Sequence, residues 1–264
     1  MSRAKRNLAA APAPPLVLFV GDLHVGGTTA VAPKAECRNA EMERLLAVWL
    51  AFVERAKAAA KGTAFVLALG GDLIDQPRHH NTFQTWGTTR EQRNAAIELL
   101  QPLANLASDV IALKGTETHA GADGEDDQTV AEALGVKRVP YVWRMVIGGQ
   151  RVLWSHHGLS VARDPWNAAN GMYAMARRLA QRRDPPDLAV FHHVHQMPRP
   201  VTAYGVTVAA VGCWQSSTAY GFRFRPEQPT DIGPLCWKPG AAPEPWPYPH
   251  AETYQEFKAA QPHR

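Results

Sequence analysis

"LVLFVGDLHVG", residues 16 to 26, is a five-residue apolar run that stops at Gly21 and leads directly into Asp22 and His24. An apolar run this brief, closed by glycine, reads as a buried strand. The same pattern returns along the chain. "AFVLAL" (64 to 69) runs into "GGDLID", "DVIAL" (109 to 113) into "KGTETHAG", "RVLWS" (151 to 155) into "HHG", and "DLAVF" (187 to 191) into "HHVH". Helix-like stretches lie between them. Residues 38 to 60 carry Leu45, Leu46, Val48, Trp49, Phe52 and Val53 among charges, and 90 to 106 and 165 to 182 are similar. Strand followed by helix, repeated, predicts an α/β sheet whose ligands sit beyond the carboxyl ends of the strands.

Composition frames that expectation. A chain of 264 residues, 45% hydrophobic, can bury a sizeable core, and its length suits one large domain. We expect a flexible N-terminal segment over 1–15, one domain over 16–225, and a Pro-rich tail over 226–264 that packs on the domain or extends from it. "PVTAYGVTVAAVGC" (200 to 213) reads as a hairpin turning near Gly205. The net charge of +4 permits an anionic substrate without indicating nucleic acid. Three cysteines, Cys37, Cys213 and Cys236, without CxxC spacing, suggest a reduced, cytoplasmic chain with no zinc-thiolate site. The N-terminus resembles a signal peptide only superficially, because the run Leu16 to Val20 is too short and sits behind prolines. No run of about 18 uncharged apolar residues occurs, so no membrane partner is expected.

The strand ends carry the chemistry. Imidazole is the commonest metal-binding side chain, and His193 and His195, two apart at a strand end, are expected to point the same way because strand side chains alternate with period two. Taken singly, Asp22 is a turn residue, Asp72 a helix cap and His156 a core histidine. Five strands ending in such residues converge on one sheet edge, which predicts a metal centre. Mixed Asp and His donors suit manganese, iron or zinc better than calcium. Two divalent ions about 3.5 to 4 Å apart clamp a phosphate oxygen and lower the pKa of a shared water, so no protein nucleophile is required. Two aspartates against two dications leave a net positive site that favours a phosphate ester.

In these motifs the chain resembles the calcineurin-like metallophosphoesterases, whose usual signature is DxH, GDxxD, GNHE, a later His before Gly, and GHxH. Four of the five are present in order between about residues 16 and 196. The resemblance implies a two-sheet β-sandwich flanked by helices and two divalent ions, manganese first, with iron or zinc as alternatives. It implies that Asp22, His24 and His195 hold one ion, that Asp72 bridges, and that His156 and His193 hold the other. The HGG and HQG versions of the fourth motif favour His156 over His157 as the ligand, and His192 takes the family's Gly position, where a solvent-facing loop side chain is expected.

The third motif departs from the family. Where the family has Asn followed by a His that protonates the leaving group, this chain has Thr116, Glu117, Thr118 and His119. His119 is the candidate general acid, and Thr116 or Glu117 sits near the second ion, with Asp75 nearby. Calcineurin-like proteins encoded by phages look similar here, and "CWQSSTAYGFRFRP" resembles their tail. Arg78, His79, His80 and Asn81 line the entrance or form a solvated loop. Arg177, Arg178, Arg182, Arg183, Arg223 and Arg225, with Tyr220, Phe222 and Phe224, contact a nucleic-acid backbone or form an ordinary charged surface. The expected activity is metal-dependent phosphoester hydrolysis, with no oligomeric state implied. The alternatives are a phosphodiesterase or nuclease acting on DNA or RNA, and a non-catalytic metal-binding interaction module.

Overall fold

Each of the five apolar runs forms a strand in the computed structural model, which describes residues 15–76, 85–160, 167–216 and 230–248. In chain order the elements are β1 (Leu16–Val20), α1 (Ala40–Ala60), β2 (Phe65–Leu69), α2 (Thr89–Ala104), β3 (Asp109–Ala112), α3 (Glu117–Ala120), α4 (Glu125–Ala133), β4 (Val142–Ile147), β5 (Gln150–Ser155), α5 (Ala168–Ala180), β6 (Leu188–Phe191), β7 (Val201–Ala203), β8 (Val206–Ala210), β9 (Leu235–Trp237) and β10 (Glu244–Pro245). The sequence expectations for residues 1 to 14, for Arg78, His79, His80 and Asn81, for Tyr220, Phe222, Arg223, Phe224 and Arg225, and for the tail beyond Tyr248 lie outside the described residues.

The strands form two five-stranded sheets, ordered β10-β9-β1-β2-β3 and β4-β5-β6-β8-β7. In the first, β1, β2 and β3 are parallel, and β9 and β10 are antiparallel additions. In the second, β5, β6 and β8 are parallel, and β4 and β7 are antiparallel edges. The inner faces pack on each other through Val17, Phe19, Ala68, Val152, Trp154, Val190 and Ala209. The first sheet's other face is covered by α1, α2 and α4, whose Trp49, Phe52, Leu100 and Val130 meet Leu18, Val20 and Leu67. Met172, Ala176 and Leu179 of α5 cover Leu153, Ala189 and Val208 of the second sheet. The result is a two-sheet sandwich flanked by helices, the expected α/β fold.

Local signals explain the elements. Asn39 caps α1 by accepting from the Met42 amide, and Thr88 with Glu91 forms a capping box on α2. Tyr204 and Gly205 both have positive φ, 53° and 77°, as a two-residue hairpin turn between β7 and β8 requires. The sequence reading assigned no strand to β4, where exposed and half-buried residues alternate around Arg144, nor to β9 and β10 in the Pro-rich region. Pro245 is tolerated in β10 because that strand is the sheet's edge. Among the described residues no helix is long and apolar enough to cross a membrane.

Candidate metal centre

The carboxyl ends of β1, β2 and β3 from one sheet and of β5 and β6 from the other meet at one edge of the sandwich. The chain leaves each strand abruptly. Among the described residues seven non-glycine residues have positive φ, and five of them are Asp22, His24, Asp72, His193 and His195. Such left-handed backbone is unfavourable for side chains with a Cβ and concentrates at functional sites, where surrounding structure enforces it.

Two overlapping sets of donors result. Asp22, His24 and His195 offer ligand atoms within 4.8 Å of one another, as do Asp22, Asp72 and His156. His24 Nε2 lies 3.1 Å from His195 Nε2, and His195 Nε2 lies 3.3 Å from Asp22 Oδ1. His156 Nε2 lies 3.1 Å from Asp72 Oδ2. Asp72 also groups with His24 and His119, so its carboxylate faces both sets. His157 and His193 extend the second set to the surface, their rings 4.6 Å apart.

These donors fit divalent cations. His156 Nδ1 is 2.7 Å from the Gly70 carbonyl, to which it donates, so the Nε2 lone pair faces the Asp72 carboxylate. Two acceptors facing each other in a buried site call for a proton or a cation between them. Burial opposes a charge on His156, but Asp72 and Asp22 beside it carry its pKa up to about 9, so in the metal-free protein a proton fills that place. Burial pushes the Asp72 carboxyl up, but His156 outweighs it and holds the group well below the usual range. Burial brings His24 down to about 3, helped by His119 and His195, and His193 to about 4, helped by His156. Both are thereby neutral imidazoles, the form that ligates a metal. His24 Nδ1 is buried without a hydrogen-bond partner.

Around this core His119 Nδ1 lies 2.7 Å from Asp75 Oδ1, and its ring meets that of His24 edge-on at 4.5 Å between centroids. The Asp75 bond raises the His119 pKa against the effect of burial. Thr116 donates its amide to Asp72 Oδ1 at 2.6 Å and its hydroxyl to Asp72 Oδ2 at 3.0 Å. Glu117 is exposed, and its charge is felt at Tyr141 instead. His157 is exposed beside His156. The described arginines of α5 and the turn after it, Arg177, Arg178, Arg182 and Arg183, are exposed.

Two residues were missed. Asp127, at the start of α4 and fully buried, accepts from the amides of Leu73 at 2.9 Å, Asp72 at 3.1 Å and Gly115 at 2.7 Å, tying the second and third motif loops together. Burial and then the Asp72 charge raise its carboxyl to about 7. Gly115 must lack a side chain, because a Cβ there would stand 2.2 Å from Asp72 Oδ1. His192 corrects the sequence expectation of a solvent-facing side chain, being only 1% exposed. Its Nε2 accepts from the Trp154 indole at 3.1 Å, which leaves the proton on Nδ1, 3.3 Å from Asp22 Oδ2. The ring fills the space over Gly70, where a Cβ would stand 2.1 Å from His192 Cε1.

The sequence matches no family model and no curated protein. Several solved structures resemble the chain in fold. An archaeal phosphodiesterase is 8% identical with a TM-score of 0.46, the match covering 88% of this chain and 99% of that one. Vps29 of Chaetomium thermophilum is 12% identical with a TM-score of 0.41, over 84% of this chain and 78% of that one. A 5'-nucleotidase precursor from Thermus thermophilus is 14% identical with a TM-score of 0.40, over 93% of this chain and 58% of that one. All three are distant likenesses.

Proposed function

We propose that the chain is a dinuclear metal-dependent phosphoesterase. The observation that carries this reading is the placement of Asp72, whose carboxylate belongs both to a donor group with Asp22 and His156 and to one with His24 and His119. Asp22, His24 and His195 would hold one ion, His156 and His193 the other, with Asp72 shared between them. When bound, the two ions supply Lewis acidity to the phosphoryl oxygens and lower the pKa of a water. The chain's own residues do the rest. The Gly70 carbonyl fixes the tautomer of His156, and the His193 amide and Thr116 hold the carboxylates of Asp22 and Asp72. Asp75 occupies Nδ1 of His119, so Nε2 is the nitrogen that delivers a proton to the leaving oxygen. Mixed nitrogen and carboxylate donors support manganese, with iron or zinc next. Three unpaired thiols keep with the cytoplasmic location proposed.

The test uses purified protein stripped by chelator and reloaded with manganese. Hydrolysis of an aryl phosphate should vanish on stripping and return on loading, and turnover in excess chelator after dialysis would sink the reading. Comparing mono- and bis-aryl phosphates, then single-stranded DNA and RNA, separates phosphomonoesterase from phosphodiesterase. His119→Ala should slow alkyl esters by roughly a hundredfold and nitrophenyl esters much less, because a basic alkoxide cannot leave unprotonated. Equal slowing of both ester types, or loss of an ion, would show that His119 is not the acid.

A further inference from the structure

We infer that the Thr116 hydroxyl is a direct donor to the second cation position, and that this position consequently holds its ion more weakly than the first. The inference rests on the dinuclear reading above. Thr116 Oγ1 lies 3.0 Å from Asp72 Oδ2, 3.3 Å from His156 Nε2 and 3.4 Å from His193 Nδ1. His156 Nε2 and Asp72 Oδ2 are themselves 3.1 Å apart. Donor atoms that share one divalent ion at about 2.0 to 2.2 Å stand about 3.0 to 3.5 Å from each other, so Thr116 Oγ1, Asp72 Oδ2 and His156 Nε2 have the spacing of one coordination shell, with His193 Nδ1 within the same reach of the hydroxyl.

A proton on His156 Nε2 satisfies that arrangement in the metal-free protein, and an arriving cation must take its place. The hydroxyl has a single proton, which goes to Asp72, while the Nε2 of neutral His156 is an acceptor because its Nδ1 donates to Gly70. With that proton displaced, a hydroxyl lone pair faces a nitrogen lone pair, and a cation between them satisfies both. The hydroxyl does not perform the task usual for its position. Thr116 is the N-cap residue of α3, yet its side chain makes no capping bond and turns into the centre.

The two positions differ in charge. In the assignment proposed above Asp22 ligates the first ion, although its carboxylate also groups with Asp72 and His156, whereas the second position shares Asp72 and adds only neutral imidazoles and a neutral hydroxyl. Exposed Glu117 does not make up the difference. Fewer anionic donors lower cation affinity, so loading of the second position limits how much of the protein is complete.

The experiment titrates the metal-free full-length chain with manganese by calorimetry, and with cobalt by visible absorption. Wild type should bind two ions in two steps, the second about tenfold or more weaker. Thr116→Val fits the extended backbone at φ −80°, ψ 133° and should keep the first step while weakening the second by about tenfold or more. Thr116→Ser should behave as wild type, and Thr116→Asn, which restores the family's carboxamide, should tighten the second step. Thermal denaturation of each metal-free variant checks folding, and should Thr116→Val not fold, an unchanged second step in Thr116→Asn overturns the inference. Two unchanged steps in folded Thr116→Val also overturn it. Equal weakening of both steps overturns it as well, making Thr116 a residue that positions Asp72. Wild type that binds no ion at all refutes the dinuclear reading itself.

Discussion

Raising the pH should destabilise the metal-free protein through His156. This imidazole is 1% exposed and lies 3.1 Å from Asp72 Oδ2, and its pKa stands at about 9 against an ordinary 6.5. A group whose folded pKa is raised contributes stability that is complete below its unfolded pKa and is lost as the pH climbs through the folded one. The window is therefore pH 6.5 to 9. At about 1.4 kcal/mol per pKa unit, His156 contributes roughly 3 kcal/mol at pH 6 that is gone by pH 10. His119 and His195 shift in the same direction, so the total decline is larger and the His156 share must be taken by difference. Urea unfolding of chelator-stripped wild type and His156→Asn at pH 6, 7.5 and 9 supplies it: the gap between the two should narrow by roughly 3 kcal/mol across the series. Loading with manganese should flatten the wild-type profile over this range, because a ligating imidazole has already given up its proton. A gap that stays constant with pH would refute the proton-for-metal exchange at this nitrogen.

Trp154→Phe removes the indole donor to buried His192 and leaves Nε2 unsatisfied in a site closed to water. The unmade hydrogen bond and the lost volume together should cost about 2 to 4 kcal/mol in metal-free urea unfolding, and a loss under about 1 kcal/mol would mean that His192 has another partner. Asp75→Asn takes away the charge that raises the His119 pKa. In the loaded enzyme the alkaline fall in alkyl-ester turnover should move down by about one pH unit, and an unmoved limb would detach His119 from it.

Asp22, His24, Asp72, His156, His193 and His195 were legible because each closes or follows a brief apolar run, and parallel strands deliver their carboxyl ends to one edge. His192 was not, because alternation along a strand stops holding once the backbone turns left-handed at His193. Asp127 carried no local signal: in "EDDQTV" it reads as one of the acidic residues that commonly open a helix. Thr116 and Glu117 are adjacent, and which of them turns inward is decided by where α3 starts, an element too short to announce itself in sequence. β9 escaped because its partner β1 lies more than two hundred residues earlier in the chain, and β10 because it is two residues long, includes a proline and pairs only with β9.

The donors come from both sheets: Asp22, His24 and Asp72 follow strands of the first, and His156, His193 and His195 follow strands of the second. His24 and His195 touch across 171 positions of chain. Closing a loop of that length costs about 4.5 kcal/mol in chain entropy beyond a constant, so donors from one sheet alone gather no complete set while the other is undocked. On the dinuclear reading proposed above, metal uptake would then be a late event in folding, dependent on finished assembly. A loaded molecule is stapled across its two halves and resists their parting in proportion to the logarithm of free ion concentration. On that reading a shortage of the metal would leave this chain looser and more open to proteases, so that its abundance would follow metal supply.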